Sequence, residues 1–226
     1  MAVLLVDGVA GAAEAGRAGG IAIIVDALRA STTIAVALAL GAAGVQPVLD
    51  VEEARAFLGR PGYLIAGERG GAQLPGFDFG NSPTQLQAEA GRLAGRRLVL
   101  TTSNGTRCVA AAAGAAAILA GALPNASAVA VAAARLAGEL GRDVYIVAAG
   151  VDGAPAEEDR LAGDFIRCRM EGCPAPPAPE LARRFRESPS GRQLAGLGYA
   201  GDVAYCARPD VLDVVPVTRE GAFVAL

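Results

Sequence analysis

The fold of this chain is decided by residues 21 to 33, which read Ile-Ala-Ile-Ile-Val-Asp-Ala-Leu-Arg-Ala-Ser-Thr-Thr. Five consecutive apolar residues, Ile21 to Val25, are typical of a strand that is buried on both faces of a sheet. A polar stretch follows at once, and a helical pattern begins at Thr32. A buried strand, a polar loop and a helix together form the unit from which parallel sheets are built.

The same unit recurs along the chain. Strands are predicted at 2–6, 21–26, 45–49, 63–66, 97–101, 116–120 and 144–148. Helices are predicted between them at 32–40, 51–58, 84–94, 106–113, 125–140 and 157–171. This alternation predicts an α/β fold with three α/β/α layers and a mostly parallel sheet.

The composition changes at residues 173–179, where four prolines in six residues cannot continue a helix. We therefore predict a main domain over residues 1–172 and a small C-terminal subdomain, residues 173–226, packed on it. Short helices are expected there at 180–187 and 190–197, with a last strand at 213–217. The apolar end, residues 221–226, is either a terminal strand or a subunit contact, so a homo-oligomer is possible.

The composition is that of a globular protein, with 53% hydrophobic and 19% charged residues among 226. The net charge of −3 argues against nucleic acid as a partner, because phosphate backbones select for basic surfaces. The long apolar stretches are rich in Ala and interrupted by Gly, so no membrane span is expected. The amino end lacks the features of a signal peptide, and a soluble cytoplasmic protein is predicted.

The chain contains no His and no Lys, and all twenty basic side chains are Arg. Nucleophile pairs that use His, phosphate loops that use Lys and Schiff bases are thereby excluded. The four cysteines form no Cys-x-x-Cys pair, so a zinc site is not expected. We expect all four to be small, mostly buried and unpaired side chains. The alternative is a pair between Cys168 and Cys173, which a reducing cytoplasm disfavours. Catalysis must then depend on carboxylates, hydroxyls, Arg, thiols or a metal ion.

The first polar motif contains Asp26, Arg29, Ser31 and Thr32. A carboxylate at the end of a strand can hold Mg²⁺, and hydroxyls with an Arg near a helix start can hold a phosphate group. The structural alternative is that Ser31 caps the helix and that Asp26 pairs with Arg29.

A second motif follows the strand at 63–66. It places Glu68 and Arg69 in a glycine-rich loop, and it brings Asn81 and Ser82 to the start of the next helix. A connection of about 17 residues is long for a compact domain, and such loops are usually functional or disordered. The alternative is a long surface turn that ends in a helix cap.

The third motif, residues 101–107, reads Thr-Thr-Ser-Asn-Gly-Thr-Arg and precedes an Ala-rich helix. Backbone amides at Asn104 and Gly105 favour anion binding, and Arg107 could add a bidentate contact. A capped turn made by Ser103 or Thr106 would explain one hydroxyl but not the whole run.

A fourth motif lies between Asp152 and Asp159, after the strand at 144–148. Acidic residues in a first helical turn complement the helix dipole, which is the structural explanation. Alternatively, one or two of them complete a metal site. A site of oxygen ligands alone suits Mg²⁺, with Mn²⁺ as the second choice.

Taken together, these motifs resemble the 2-phosphosulfolactate phosphatase family, Mg²⁺-dependent acid phosphatases of coenzyme M biosynthesis. The matching stretches are 25–33, 67–70, 76–83, 101–107 and 158–163, and residues 213–217 are also similar. The resemblance implies an α/β/α fold and hydrolysis of a phosphate monoester beside a sulfonate.

The sequence therefore predicts a magnesium-dependent phosphatase that acts on a small anionic substrate, 2-phospho-3-sulfolactate, and releases 3-sulfolactate and phosphate. The expected metal ligands are Asp26, Glu68 and Asp159, and the expected catalytic residues are Asp26, Arg29, Arg107 and Asp159. The expected substrate-binding residues are Ser31, Thr32, Arg69, Asn81, Ser82, Ser103, Asn104, Gly105 and Thr106. The alternatives are a phosphatase for another phosphorylated hydroxy acid and a non-catalytic anion-binding module.

Overall fold

The computed structural model describes residues 1–226 and is built around a ten-stranded sheet in the order β1-β8-β2-β7-β9-β10-β3-β6-β4-β5. The strands are β1 Val3–Asp7, β2 Ile21–Val25, β3 Gly44–Val48, β4 Tyr63–Arg69, β5 Ala72–Gln73, β6 Arg97–Thr101, β7 Ala117–Ala120, β8 Val144–Ala148, β9 Pro216–Arg219 and β10 Ala222–Ala225.

Ten α-helices surround the sheet, and two short 3-10 helices lie at Ala90–Arg92 and Leu123–Asn125. The α-helices are α1 Gly8–Arg17, α2 Ala30–Ala39, α3 Val51–Arg55, α4 Pro83–Ala88, α5 Gly105–Ala111, α6 Ala126–Leu140, α7 Glu157–Glu171, α8 Ala178–Glu187, α9 Pro189–Gly196 and α10 Ala200–Cys206. None of these helices has both the length and the apolar character needed to cross a bilayer.

The sheet consists of two parallel halves. Strands β1, β8, β2 and β7 are mutually parallel, and so are β3, β6 and β4. The C-terminal hairpin of β9 and β10 lies between the halves and is antiparallel to both neighbours. It contacts each half through a single residue pair, Val217 with Leu119 and Phe223 with Val45. The end of the chain therefore joins the two halves of the sheet.

Alternate residues of each strand pack into opposite layers, because successive side chains of a strand point to opposite faces. In β2, Ala22 and Ile24 belong to the core beneath α1, α2 and α5, whereas Ile21, Ile23 and Val25 belong to the core beneath α6 and α7. Both sets are fully buried. The predicted three-layer α/β/α fold with a mostly parallel sheet is confirmed.

All seven strands predicted in the main part of the chain are present, and the two at 97–101 and 144–148 have the predicted bounds. Two helices, α1 and α10, were not predicted. The buried face of α1 consists of Gly11, Ala12 and Ala15, and side chains this small give little apolar periodicity. The long connection after β4 is also more ordered than expected, because β5 turns back onto β4.

Residues 173–226, predicted to form a subdomain, contribute to two parts of the structure. Helices α8, α9 and α10 pack outside the sheet, whereas β9 and β10 lie within it. The last predicted strand begins at Pro216 and not at residue 213, and the apolar end of the chain forms β10. A boundary at residue 173 therefore leaves two strands of the main sheet on its C-terminal side.

The expectation that all four cysteines are unpaired is wrong. Cys168 and Cys173 form a disulfide across the end of α7, with their Cα atoms 4.6 Å apart. Gly172 adopts a left-handed conformation (φ 72°), and the backbone N–H of Cys173 donates to the carbonyl oxygen of Cys168. This helix ending brings the two side chains together. Cys108 and Cys206 are free and buried, as expected.

We predict that Phe223→Ala lowers the free energy of unfolding by about 3–5 kcal/mol, because it opens a cavity in the strand that joins the two halves. Phe223 is fully buried, whereas Leu226 is 46% exposed. Leu226→Ala is therefore the matched control and should change stability by less than about 0.5 kcal/mol. Urea unfolding followed by circular dichroism measures both, and a loss below about 1 kcal/mol for Phe223→Ala would contradict a central role for the hairpin.

Candidate active site

A cavity of about 160 Å³ opens where the carboxyl ends of strands from both halves of the sheet face each other. This is where open α/β sheets bind ligands. Six of the residues predicted from sequence line it together: Asp26, Arg29, Glu68, Asn81, Ser103 and Asn104. The remaining lining residues are Leu28, Gly70, Gly71, Val151, Asp152, Ser190, Gln193 and Leu194.

Asp26 is held between the two halves of the sheet. Its Oδ1 accepts a hydrogen bond from the backbone N–H of Ala30 (3.1 Å), and its Oδ2 accepts one from the N–H of Gly105 (3.0 Å). Ala30 begins α2 in one half, and Gly105 begins α5, which follows β6 in the other half. A Cβ atom on Gly105 would lie 2.7 Å from Oδ2, so only glycine permits this contact.

Glu68, near the end of β4, is fixed by three donors. Its Oε1 accepts from the backbone N–H (2.8 Å) and the hydroxyl (3.0 Å) of Ser103, and its Oε2 accepts from the N–H of Gly71 (2.8 Å). Only 6% of the residue is exposed. Because β4 and β6 are parallel neighbours, the residues that follow them meet at the same edge.

Asp159 is buried but does not line the cavity. Its two oxygens accept hydrogen bonds from the N–H of Ala27 (2.7 Å) and the N–H of Gly150 (2.9 Å). It thus ties the loop after β2 to the loop after β8. The preceding residue, Glu158, is 2% exposed, and its side-chain Oε2 has no hydrogen-bond partner within the protein. The structure consequently places Asp159 behind the cavity wall, with an unpaired buried carboxylate beside it.

Arg29 is buried and is the one basic side chain that lines the cavity. Its Nη1 donates to Asp202 Oδ2 (2.6 Å), and its Nη2 donates to the carbonyl oxygen of Gly71 (2.5 Å). The guanidinium also stacks on Tyr199, with Cζ 4.3 Å from the ring centre. The alternative pairing of Arg29 with Asp26 is not present.

Most of the hydroxyl groups that were predicted to bind the substrate form hydrogen bonds with backbone groups instead. Ser31 donates to the carbonyl oxygen of Ile24 and accepts from the N–H of Asp26, and Thr32 donates to the carbonyl oxygen of Ala27. Thr106 donates to the carbonyl oxygen of Thr102. Ser82 caps α4 and also donates to Asp202. None of these four hydroxyl residues lines the cavity.

Two of the predicted arginines lie outside the cavity. Arg69 donates to the carbonyl oxygen of Glu68 and to the hydroxyl of Thr101. Arg107 is exposed and lines an adjoining cavity of about 400 Å³, which shares Asn104 and Asp152 with the first. Asp152 has a left-handed backbone (φ 49°), and its N–H donates to Asn104 Oδ1. Backbone conformations of this kind are often found at binding sites.

The C-terminal helices supply residues that sequence reasoning missed. Ser190, Gln193 and Leu194 of α9 form one wall of the cavity, and Gln193 Nε2 donates to the carbonyl oxygen of Gly70 (3.1 Å). Asp202 of α10 holds Arg29. None of these residues belongs to a motif, and the sequence contains no signal that would have identified them.

Burial sets the ionisation of the two buried aspartates. It raises the pKa of Asp26 from 3.8 to about 6, although the N–H groups of Ala30 and Gly105 counteract this and the charges of Glu68 and Glu158 add to it. Burial also raises the pKa of Asp159 well above its ordinary value, with further contributions from Asp26 and Glu158. The buried acids thus lie close enough together to raise one another's pKa.

The cavity has features that fit a hard divalent cation. Asp26 and Glu68 offer carboxylate oxygens, and the Oδ1 of Asn81, a residue only 3% exposed, has no hydrogen-bond partner in the protein. No three Cys, Asp or Glu side chains lie close enough together to enclose a metal ion by themselves. Mg²⁺ usually retains water and substrate oxygens and needs only one or two protein carboxylates. Asp26, Glu68 and Asn81 therefore fit part of a magnesium shell.

The sequence of this chain is similar to a known family model and to known proteins over most of its length. The family model described as 2-phosphosulpholactate phosphatase matches residues 9–221. A relative from Methanothermobacter thermautotrophicus, named 2-phosphosulfolactate phosphatase, is 42% identical over 212 residues, which cover 89% of this chain and 88% of the relative.

Two bacterial relatives carry the name probable 2-phosphosulfolactate phosphatase. The one from Carboxydothermus hydrogenoformans is 37% identical and covers 86% of this chain and 84% of its own length. The one from Symbiobacterium thermophilum is 38% identical, and the match covers 92% of this chain and 95% of the relative. These matches extend over both halves of the sheet and the C-terminal helices, and the chain belongs to the 2-phosphosulfolactate phosphatase family.

Proposed function

We propose that this protein is a Mg²⁺-dependent phosphatase that hydrolyses 2-phospho-3-sulfolactate to 3-sulfolactate and phosphate. The observation that carries the proposal is the convergence of Asp26 and Glu68, from opposite halves of the sheet, on one small cavity. Asn81 also lines this cavity, and its buried Oδ1 has no hydrogen-bond partner. Family membership and the names of the relatives support the reaction and the substrate.

The cavity suits a compact substrate with more than one anionic group. Its volume is about 160 Å³, which favours a small molecule over a nucleotide or a phosphorylated protein. Its donors to an anion are the free N–H groups of Arg29, the side-chain amide of Asn104 and the hydroxyl of Ser190, which makes no hydrogen bond within the protein.

These positions suggest a separate role for each residue in the reaction. Asp26, Glu68 and Asn81 would hold Mg²⁺, and the ion would stabilise charge on the phosphoryl oxygens and acidify water. Arg29 would bind and orient the anionic substrate, and its charge would offset the negative charge on the phosphoryl oxygens as the bond between phosphorus and the sulfolactate oxygen breaks and water takes its place. Asp159, with both oxygens bonded to backbone N–H groups, would fix the loop that carries Arg29.

We expect the purified protein to release phosphate from 2-phospho-3-sulfolactate in the presence of Mg²⁺ and to lose this activity in EDTA. A panel of phosphorylated hydroxy acids, such as 2-phospholactate, which carries a methyl group in place of the sulfomethyl group, tests the substrate. Equal kcat/KM across the panel would contradict a sulfonate-specific site. Binding of phosphate without turnover would instead favour a non-catalytic anion-binding module.

We expect Asp26→Asn to lower kcat by about 100-fold or more, because it removes a carboxylate charge from the proposed Mg²⁺ site. The measurement is steady-state phosphate release at saturating Mg²⁺. Glu139→Gln is the matched control, since Glu139 is an exposed carboxylate that pairs only with Arg135 on α6. A variant at Asp26 that retained wild-type kcat would refute the assignment.

The raised pKa of Asp26 also predicts how stability depends on pH. Because the folded state binds this proton more tightly than the unfolded chain does, the protein should lose stability as pH rises from about 4 to about 7. A change in pKa from 3.8 to about 6 corresponds to about 3 kcal/mol. Urea unfolding in EDTA at pH 5 and pH 7.5 should show about half of this change, because part of it falls below pH 5, and Asp26→Asn should reduce the difference. If the free energy of unfolding changes equally with pH in the variant and in the wild type, Asp26 is not the source of the pH dependence.

A further inference from the structure

Arg29 lies in the same cavity as Asp26 and Glu68 but pairs with neither of them. It follows Asp26 by only three residues, and all three side chains line the cavity. Its hydrogen bonds go instead to Asp202 and to the carbonyl oxygen of Gly71. The arrangement is therefore not the default pairing of a neighbouring acid and base, and it depends on a residue that is distant in sequence.

Asp202 is fixed in place by donors on both of its oxygens. It is fully buried, and Oδ1 accepts hydrogen bonds from Ser82 Oγ (2.9 Å), Thr84 N–H (3.1 Å) and Thr84 Oγ1 (2.5 Å), while Oδ2 accepts from Arg29. Movement of this carboxylate would leave the buried Ser82 hydroxyl and the two partly buried donors of Thr84 without this partner, which is costly. Asp202 thus presents one oxygen to Arg29 in a constant position.

The guanidinium of Arg29 retains binding capacity in this arrangement. An arginine has five N–H bonds, and the protein uses two of those of Arg29, one on each terminal nitrogen. The ring of Tyr199 covers one face and limits rotation. About three N–H bonds in one plane therefore remain for an anionic ligand in the cavity.

We propose that Asp202 is a positioning residue that holds Arg29 away from Asp26 and Glu68. The carboxylates of Asp26 and Glu68 then remain free for a divalent cation. The guanidinium of Arg29 remains free for the anionic part of the substrate. Without Asp202, Arg29 would pair with the carboxylates of the same cavity and compete with the cation for them. This inference rests on the proposed function only in taking Mg²⁺ as the cation.

The test is a double-mutant cycle on the full chain, with Mg²⁺ alone and inorganic phosphate alone as ligands in calorimetric titrations. Asp202→Asn should weaken Mg²⁺ binding about 10-fold or more, the size usual for groups that orient a metal site. Arg29→Met should leave Mg²⁺ affinity within about threefold of wild type and weaken phosphate binding. The double variant should recover the Mg²⁺ affinity, because no guanidinium then competes, but not the phosphate affinity.

Glu187→Gln is the matched control, since Glu187 also pairs with an arginine in the C-terminal helices but is half exposed. It should change neither affinity. Wild-type Mg²⁺ affinity in Asp202→Asn would overturn the inference. A double variant that binds Mg²⁺ as weakly as Asp202→Asn would also overturn it, because that result indicates a purely structural role.

Folding is checked by circular dichroism before each titration. If Asp202→Asn does not fold, Asp202→Ser replaces it in the cycle with the same expected affinities. A wild-type protein that binds no Mg²⁺ would overturn the proposed function and this inference with it. If the wild-type protein binds Mg²⁺ but the variants do not show the expected Mg²⁺ affinities, the inference alone is overturned.

Discussion

The candidate site depends on the burial of one carboxylate, that of Asp26, between two halves of a divided sheet. Its oxygens accept hydrogen bonds from the first turns of α2 and α5, which belong to different halves. The contact with α5 requires a glycine at position 105, since a Cβ atom there would collide with the carboxylate. The rest of the cavity is arranged around this contact, because it brings the residues after β6 up to the end of β2.

The same burial explains the electrostatic character of the site. A carboxylate removed from water is stable as an ion only if hydrogen bonds or a cation compensate for the lost hydration. Two backbone N–H groups compensate in part, and the nearby acids Glu68 and Glu158 act in the opposite direction. The arginine that could neutralise Asp26 is bound to Asp202 instead. Burial and the neighbouring acids therefore raise the pKa of Asp26, and the proposed Mg²⁺ would offset this effect by favouring the ionised carboxylate.

The C-terminal residues have two functions in this arrangement. The hairpin of β9 and β10 joins the halves of the sheet, α9 forms a wall of the cavity, and Asp202 of α10 holds Arg29. A segment that reads in sequence as an appended subdomain therefore supports both the fold and the site. The prolines between α7 and α8 are compatible with this role, because they end one helix and carry the chain across to the next layer.

The sequence by itself determined the alternating strands and helices, since periodicity and start signals are local properties. It also determined the oxygen-rich chemistry of the site, because the chain has no His or Lys, and it placed Asp26, Glu68, Asn81, Ser103 and Asn104 in loops at strand ends. Within each half those loops meet because the strands are parallel. The two halves run in opposite directions on either side of the antiparallel hairpin, so the sequence did not determine that their loops share one cavity.

Only the tertiary structure decided which polar side chains face the cavity. Ser31, Thr32 and Thr106 lie in the same motifs as the lining residues but turn to backbone groups, and Asp159 bonds two loops from behind the wall. The pairing of Arg29 with Asp202 joins residues 173 positions apart. Such a contact depends on the packing of layers and on the paths of long connections, and no local pattern encodes either.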